Sequence, residues 1–365
     1  MRIDPALLLT GLLLLGFGAQ WLAWRVKLPA ILFLLLLGLA LGPIGGVLHP
    51  DAMFGDLLLP FVSLAVAVIL FEGSLTLRFA EIRGLGPVIL RLVSAGAALT
   101  LAILAWAGHV LAGLSWPIAL LFGAVVSVTG PTVIVPMLRS VRPNERISNI
   151  LRWEGIIIDP LGALLAVLMF ELIVSGERSG EAHHWLVFGQ TVAVGAGVGF
   201  GAAWLLGYAL RRHLMPEYLQ NLGALTLVLA SFAVANALRD ESGLLAVTVM
   251  GIVLANTKGL QMDDILDFKE HLSTLLITLL FIILAARLEG PIPLLTVAGG
   301  IGVLLVAQVV ARPVAVLAST LFSSVTWRER ALLAWIAPRG IVAAAVSALF
   351  ALRLQQLGVA DADKL

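Results

Sequence analysis

Charge is what this chain has least of. Only 12% of its residues are Asp, Glu, Lys or Arg, about half the share of a soluble domain. That scarcity argues against a surface built for water. The formal net charge is +1, so no bulk field invites nucleic acid. Cysteine is absent, which excludes a disulfide framework and thiol chemistry. There is no HExxH helix and no second mid-membrane aspartate, so the chain lacks what an intramembrane hydrolase would need. The first apolar run, 6–24, has no basic leader and no small-residue cleavage site. It reads as a span, not a removable signal.

What is present is apolar. Hydrophobic residues make up 60% of the chain and the mean hydropathy is +1.05. The fold class is an all-α polytopic membrane protein. Twelve spans are expected at roughly 6–24, 28–43, 56–76, 87–111, 116–138, 149–174, 185–210, 221–238, 243–256, 272–288, 292–322 and 328–352. The second and ninth are short, and Pro313 should bend the overlong eleventh. Lys and Arg gather in the odd-numbered loops: Arg25 and Lys27, Arg78 and Arg83, Arg139 with Arg142 and Arg146, Arg211 and Arg212, Lys258 and Lys269, Arg328 and Arg330. The positive-inside rule makes those loops cytoplasmic and puts the N-terminus outside. A multi-pass protein of the bacterial inner membrane follows. Residues 353–365 then read as an extracytoplasmic loop at a truncation, with the next span missing. Asp263, Asp264 and Asp267 with Lys269 and Glu270 read as a solvated loop or short turn, and Arg91 and Arg152 as snorkelling side chains.

The stretch 148–175 carries Glu154 and Asp159 inside an apolar span. A carboxylate at that depth costs a few kcal/mol and marks an ion or proton pathway. Five positions apart, the two acids sit about 140° from each other around a helix and face different ways. Asp159 shares its face with Gly155 and Gly162, small residues that admit a neighbouring element or an ion. Its pKa in a low-dielectric site rises, which suits exchange of a proton for a cation. Pro160 should loosen the helix there and free a carbonyl. Glu154 needs a cationic partner, and Arg312, itself surrounded by apolar residues, is the natural one.

Two spans are interrupted. Ser127-Val-Thr-Gly-Pro-Thr132 lies in the fifth and Ala337-Pro-Arg-Gly340 in the twelfth. Breaks in mid-membrane occur around buried or watery sites. Spans seven apart have opposite orientation, so paired breaks suggest two inverted halves and a secondary transporter. Thr129 and Thr132 bracket Gly130 and Pro131, and their hydroxyls with freed carbonyls suit a hard monovalent cation. An equal reading is that they only re-satisfy the broken backbone. Arg339, between Pro338 and Gly340, would neutralise helix-end carbonyls. Glu72, at the cytoplasmic end of the third span, either lines an inner vestibule or is merely interfacial.

The pieces VTGPT at 128–132, EGIIIDP at 154–160, VARP at 310–313 and APRG at 337–340 together resemble the cation/proton antiporter superfamily, in its NhaP-like sodium/hydrogen exchanger branch. That resemblance covers essentially the whole chain. It implies a thirteen-span antiporter fold of two inverted repeats, about 6–174 and an incomplete 221–352, within an exchanger domain over 1–352. It implies a homodimer, elevator-like alternating access, and no cofactor beyond the transported Na+ or K+ and H+. Asp159 matches the family's ion-binding aspartate, with Thr129 as its companion ligand. Glu154 and Arg312 match a core pair, Arg339 and Gly340 the arginine-glycine of the twelfth span, and Glu72 a funnel acid of some members. A nucleotide-binding regulatory domain often follows in such proteins. Three departures stand out: Ile158 replaces an Asn, Gly130 an acid, and Gly155 a small hydroxyl residue. The cation would lean on Asp159, Thr129, carbonyls and water, which could favour potassium. A single titrating Asp gives electroneutral exchange. The alternative within the superfamily is a Kef-type regulated potassium efflux system.

Overall fold

The computed structural model describes residues 5–26, 28, 30–75, 77–82, 84–127, 129, 134, 137–138, 141–175, 181–240, 242–258, 263–287, 294–337 and single positions at 347, 350, 351 and 354. Every regular element among them is helical. That is the outcome the bilayer dictates, since only a helix satisfies a lone span's backbone internally.

The helices are α1 (Pro5–Val26), α2 (Ala30–Leu39), a short α3 (Pro50–Phe54), α4 (Leu58–Leu75), α5 (Gly86–Arg91), α6 (Ala97–Ala112), α7 (Trp116–Val126), α8 (Glu145–Ser175), α9 (Glu181–Arg211), α10 (Glu217–Leu238), α11 (Ser242–Ala255), α12 (Asp263–Ala286), α13 (Leu294–Val306), α14 (Arg312–Thr320) and α15 (Trp327–Trp335). Local sequence explains several ends. Gly113 closes α6 at φ +65°, the left-handed position that favours glycine. Pro117 sits in the first turn of α7, where a missing N–H costs nothing. Thr326 and Glu329 form a reciprocal capping box at the start of α15.

Among the described residues, five stretches are long and apolar enough to cross a membrane alone: Leu7–Val26, Gly86–Ala112, Leu186–Arg211, Glu217–Leu238 and Ala298–Thr320. Shorter apolar helices run over Ala30–Ile44, Trp116–Val126, Ser242–Ala255 and His271–Ala286. Length and composition of the described helices therefore support a multi-pass membrane protein without establishing twelve spans.

One expectation needs correction: the acidic stretch from Asp263 is the opening of α12, not a loop. α8 is helical straight through Pro160, whose missing N–H leaves one carbonyl of the helix without its usual partner. In the eleventh span a π-helical turn at Ala307–Ala311 comes directly before Arg312 and Pro313.

Among the described residues, two of the four hydrophobic clusters gather most of the helices. The larger gathers α1, α2, α4, α7 and α9–α12, with Leu34, Phe71, Leu121, Val228, Val247 and Ile282 fully or almost fully buried. α9 lies against α11 so closely that a Cβ on Gly199 would run into the Ala246 carbonyl. The second cluster is built by α5, α8, α14 and α15 around Ile89, Ile150, Trp153, Val316 and Leu333. The candidate site lies along this second body.

A buried ion pair between two π-turns

Glu154 and Arg312 meet inside the protein, 2% and 5% exposed. The pairing is a fork: Arg312 Nη1 donates to Glu154 Oε1, and Nη2 donates to Oε2 at 2.9 Å. Arg312 Nε donates to the Leu333 carbonyl at 3.0 Å. Bidentate geometry with every guanidinium face used is what a buried pair needs to offset several kcal/mol of desolvation per ion.

Local folding explains how each side chain arrives. Glu154 is on the buried face of α8, between Trp153 and Gly155, beside fully buried Leu151 and Ile156. Arg312 is the first residue of α14, directly after the Ala307–Ala311 π-turn. Another π-turn, Leu92–Gly96, joins α5 to α6; a third, Ala40–Ile44, follows α2 away from the ion pair. Such turns add a residue to the helix and often mark functional sites. The expected breaks in the fifth and twelfth spans were read from proline and glycine. The π-turns in the fourth and eleventh left only a faint signal, in Gly96 and Pro313.

Leu92, Gly96, Thr100, Ser127, Thr129, Glu154, Ile158 and Arg312 surround a small cavity. It has about 10 Å³ for the centre of a water, room for one. Thr100 donates to the Gly96 carbonyl at 2.8 Å, and Ser127 to Ala124 at 2.8 Å. Thr129 is 2% exposed, and its hydroxyl has no hydrogen-bond partner among the described residues. An orphaned buried hydroxyl of this kind costs about 1–3 kcal/mol unless something fills its valence. Thr129 follows directly on the end of α7 at Val126. Beside it, a Cβ on Gly155 would overlap Ile134 and come within 3.4 Å of the Thr129 carbonyl. Gly155, on the small-residue face that the sequence assigns to close approach, is thus where α8 passes against Ile134 and Thr129.

On the other side, the last turn of α15 stops before the second break. Its orphaned carbonyls are taken by Arg312 at Leu333 and by Gln308 Nε2 at Trp335, 2.5 Å. Gln308 was not among the residues the sequence singled out. Only its place in a π-turn reveals its job. Arg91, exposed in the last turn of α5, donates to the Leu321 carbonyl at 2.6 Å.

Glu72 is half-buried on α4 and outside this cavity. The helix α8 carries position 159, but the side chain of Asp159 lies outside the described residues. So do Gly130, Pro131, Thr132, Pro338, Arg339 and Gly340. Among the described residues no group of three or more His, Asp or Glu is placed to hold a metal ion.

Apolar helices gathered around a buried ion pair are the architecture of a multi-pass membrane protein. The family model described as sodium/hydrogen exchanger, transmembrane, matches residues 10–362, and the chain belongs to that family. Its relatives include a K(+)/H(+) antiporter, NhaP2, from Shewanella sp. strain MR-4, 29% identical over 324 residues. That match covers 87% of this chain and 55% of the relative, so the chain spans little more than half the length of such relatives. The Na(+)/H(+) antiporter 1 of Methanocaldococcus jannaschii is 26% identical over 366 residues, covering 97% of this chain and 84% of that one. The solved sodium proton antiporter MjNhaP1 of that organism shares the fold, with TM-score 0.81 at 24% identity over 97% of this chain and 89% of that chain. Nothing in these relatives supports the potassium efflux alternative.

Proposed function

We propose that this protein exchanges a monovalent cation, Na+ or K+, for a proton by alternating access, with Asp159 as the shared carrier. The observation that carries the reading is the closed fork between Arg312 and Glu154. It occupies both oxygens of one membrane acid and leaves the next acid of α8, Asp159, as the one to exchange. One carboxylate alternating between one proton and one monovalent cation makes the cycle electroneutral. Thr129, with its unfilled buried hydroxyl, and Thr132 supply oxygen to the dehydrated ion. Arg339, in the Pro338–Gly340 break, balances the helix ends, as Gly130 and Pro131 open the other.

The separate hydrophobic body around Trp153 and Leu333 supports a core that moves as a unit against the rest. A homodimer is in keeping with α9, where Ala193, Gly197 and Gly201 form an exposed small-residue face. The reading places the protein in a bacterial inner membrane with its basic loops inside.

The test is ΔpH dissipation in everted vesicles from cells without their own antiporters, adding sodium, potassium and lithium in turn. Wild type dissipates the gradient and Asp159→Asn does not. Exchange by the mutant at the wild-type rate would move the carrier to another acid.

A further inference from the structure

Just past α4 the chain changes bodies within two residues. Leu70, Phe71 and Leu75 of α4 belong to the larger hydrophobic cluster. Leu77, fully buried, belongs to the second, with Leu85 and Val88 after it. One side chain pins this crossing: Asn256, just past the end of α11. Its Oδ1 accepts from the Phe79 backbone N–H at 2.8 Å, and its Nδ2 donates to the Leu77 carbonyl at 2.8 Å. The same Nδ2 donates to the Ile252 carbonyl of its own helix at 2.8 Å. A backbone N–H needs the amide oxygen and a carbonyl the amide nitrogen, so these partners fix which way the amide points. Earlier on α11, a Cβ on Gly251 would lie 2.5 Å from Ser74 Cβ and 2.9 Å from the Phe71 carbonyl oxygen. α11 therefore grips both the last turn of α4 and the residues that leave it.

The far side of the crossing is built differently. Phe79 lays its ring against Trp153, 5.5 Å between centroids, and Trp153 precedes Glu154 of the ion pair. The contacts of Leu77 and Phe79 with the second body are apolar and non-directional, so they slide at little cost. The hydrogen bonds of Asn256 are directional and do not. Further on, Gly84 stands at φ +80°, with nothing within 4 Å of where a Cβ would be. Gly86, the first residue of α5, is equally open. Backbone freedom of this kind, at the end of an element, is what a pivot uses.

We propose that Asn256 is a positioning residue for transport: its amide anchors the crossing to α4 and α11, so that the ion-pair body pivots at Gly84. The proposal rests on the alternating-access reading above, in which that body moves as a unit. It gives Asn256 no contact with the ion. Without the anchor the body wanders between its end positions, and turnover falls while cation affinity does not.

The experiment uses the full chain with spin labels on Tyr218→Cys in α10 and Arg328→Cys in α15. Both positions are exposed, one on each body, and the chain has no cysteine of its own. Cation-driven proton exchange is measured in proteoliposomes on the unlabelled proteins. Asn256→Leu removes all three hydrogen bonds at similar volume. Asn256→Asp keeps the acceptor for Phe79 and loses both donations. Asn256→Leu should broaden the label-to-label distance distribution and lower the maximal exchange rate about tenfold, the worth of roughly one hydrogen bond in a barrier. The KM for cation stays within about twofold, as it does when ground-state binding is untouched. Asn256→Asp falls between wild type and Asn256→Leu on both readouts. Gly84→Ala strains the pivot and leaves the clasp whole, so it slows exchange without broadening the distances; it decides the matter if Asn256→Leu does not fold. A wild-type distance distribution in Asn256→Leu, a KM that shifts as far as the rate, or wild-type exchange by Gly84→Ala overturns the proposal. Wild type that moves no proton for sodium or potassium would instead sink the antiport reading, and the distance distributions would still decide the clasp.

Discussion

At the residue scale the chemistry divides between a satisfied charge and an unsatisfied hydroxyl. Glu154 and Arg312 use both carboxylate oxygens and all three guanidinium nitrogens on protein partners. Removing one partner strands the other. Glu154→Gln should lower stability by about 3–5 kcal/mol, and Glu154→Gln with Arg312→Met by clearly less. Melting of the detergent-purified proteins reads the difference; equal losses would mean the pair is not coupled. Thr129 is the opposite case. Its buried hydroxyl has no partner among the described residues, so Thr129→Val should leave melting unchanged or raise it. Under the proposed mechanism it also raises the KM for cation about tenfold, the worth of a ligand of roughly 1.4 kcal/mol. Lower stability with an unchanged KM would return Thr129 to a backbone role.

At the scale of elements, the starts of α8 and α15 are tied to each other by polar side chains. α15 begins in the loop after α14, with Glu329 accepting from the Thr326 backbone N–H at 2.8 Å and Asn144 reaching it from the start of α8 at 3.2 Å. Arg146 lies 3.7 Å from the same carboxylate. The Thr326 backbone hydrogen bond holds the Glu329 pKa below its usual 4.5. The sign follows directly: a depressed acid stabilises the folded state above its unfolded pKa, and that contribution is lost as pH falls through the folded value. Wild type should therefore lose stability on acidification below about pH 4.5 more steeply than Glu329→Gln, which starts lower at neutral pH. Parallel melting curves from pH 7 to 3.5 check this. If the two proteins lose stability equally, Glu329 is not the coupled group.

For the whole molecule the open quantity is topology. The basic loops predict that Leu214 and Asp240 lie on opposite sides of the membrane, the first inside. Because the chain has no cysteine, single cysteines need no background removal. Leu214→Cys should react with an impermeant maleimide only in everted vesicles, and Asp240→Cys only in right-side-out cells. Labelling of both from one side would sink the orientation and the span count together. A single carrier acid further requires that exchange in proteoliposomes ignore an imposed membrane potential.

The sequence by itself determined the class and the family, because a bilayer leaves few choices. Apolar runs must be helices, their basic ends choose a side, and a Glu and an Arg at membrane depth must find each other. α7 ends at Val126 and α15 at Trp335, each a few residues before the proline and glycine of an expected break. What only the tertiary structure decided concerns contact between elements distant in the chain. The π-turns at Leu92–Gly96 and Ala307–Ala311 have no strong residue signature. The small face of Gly155 predicts a close neighbour, but that the neighbours are Ile134 and the Thr129 carbonyl only the packing shows. Nothing in the sequence says that Gln308 and Arg91 meet the carbonyls of Trp335 and Leu321. Periodicity reports the face a residue takes on its own helix. Which carbonyl or neighbouring helix lies across that face is fixed only when the helices close on one another.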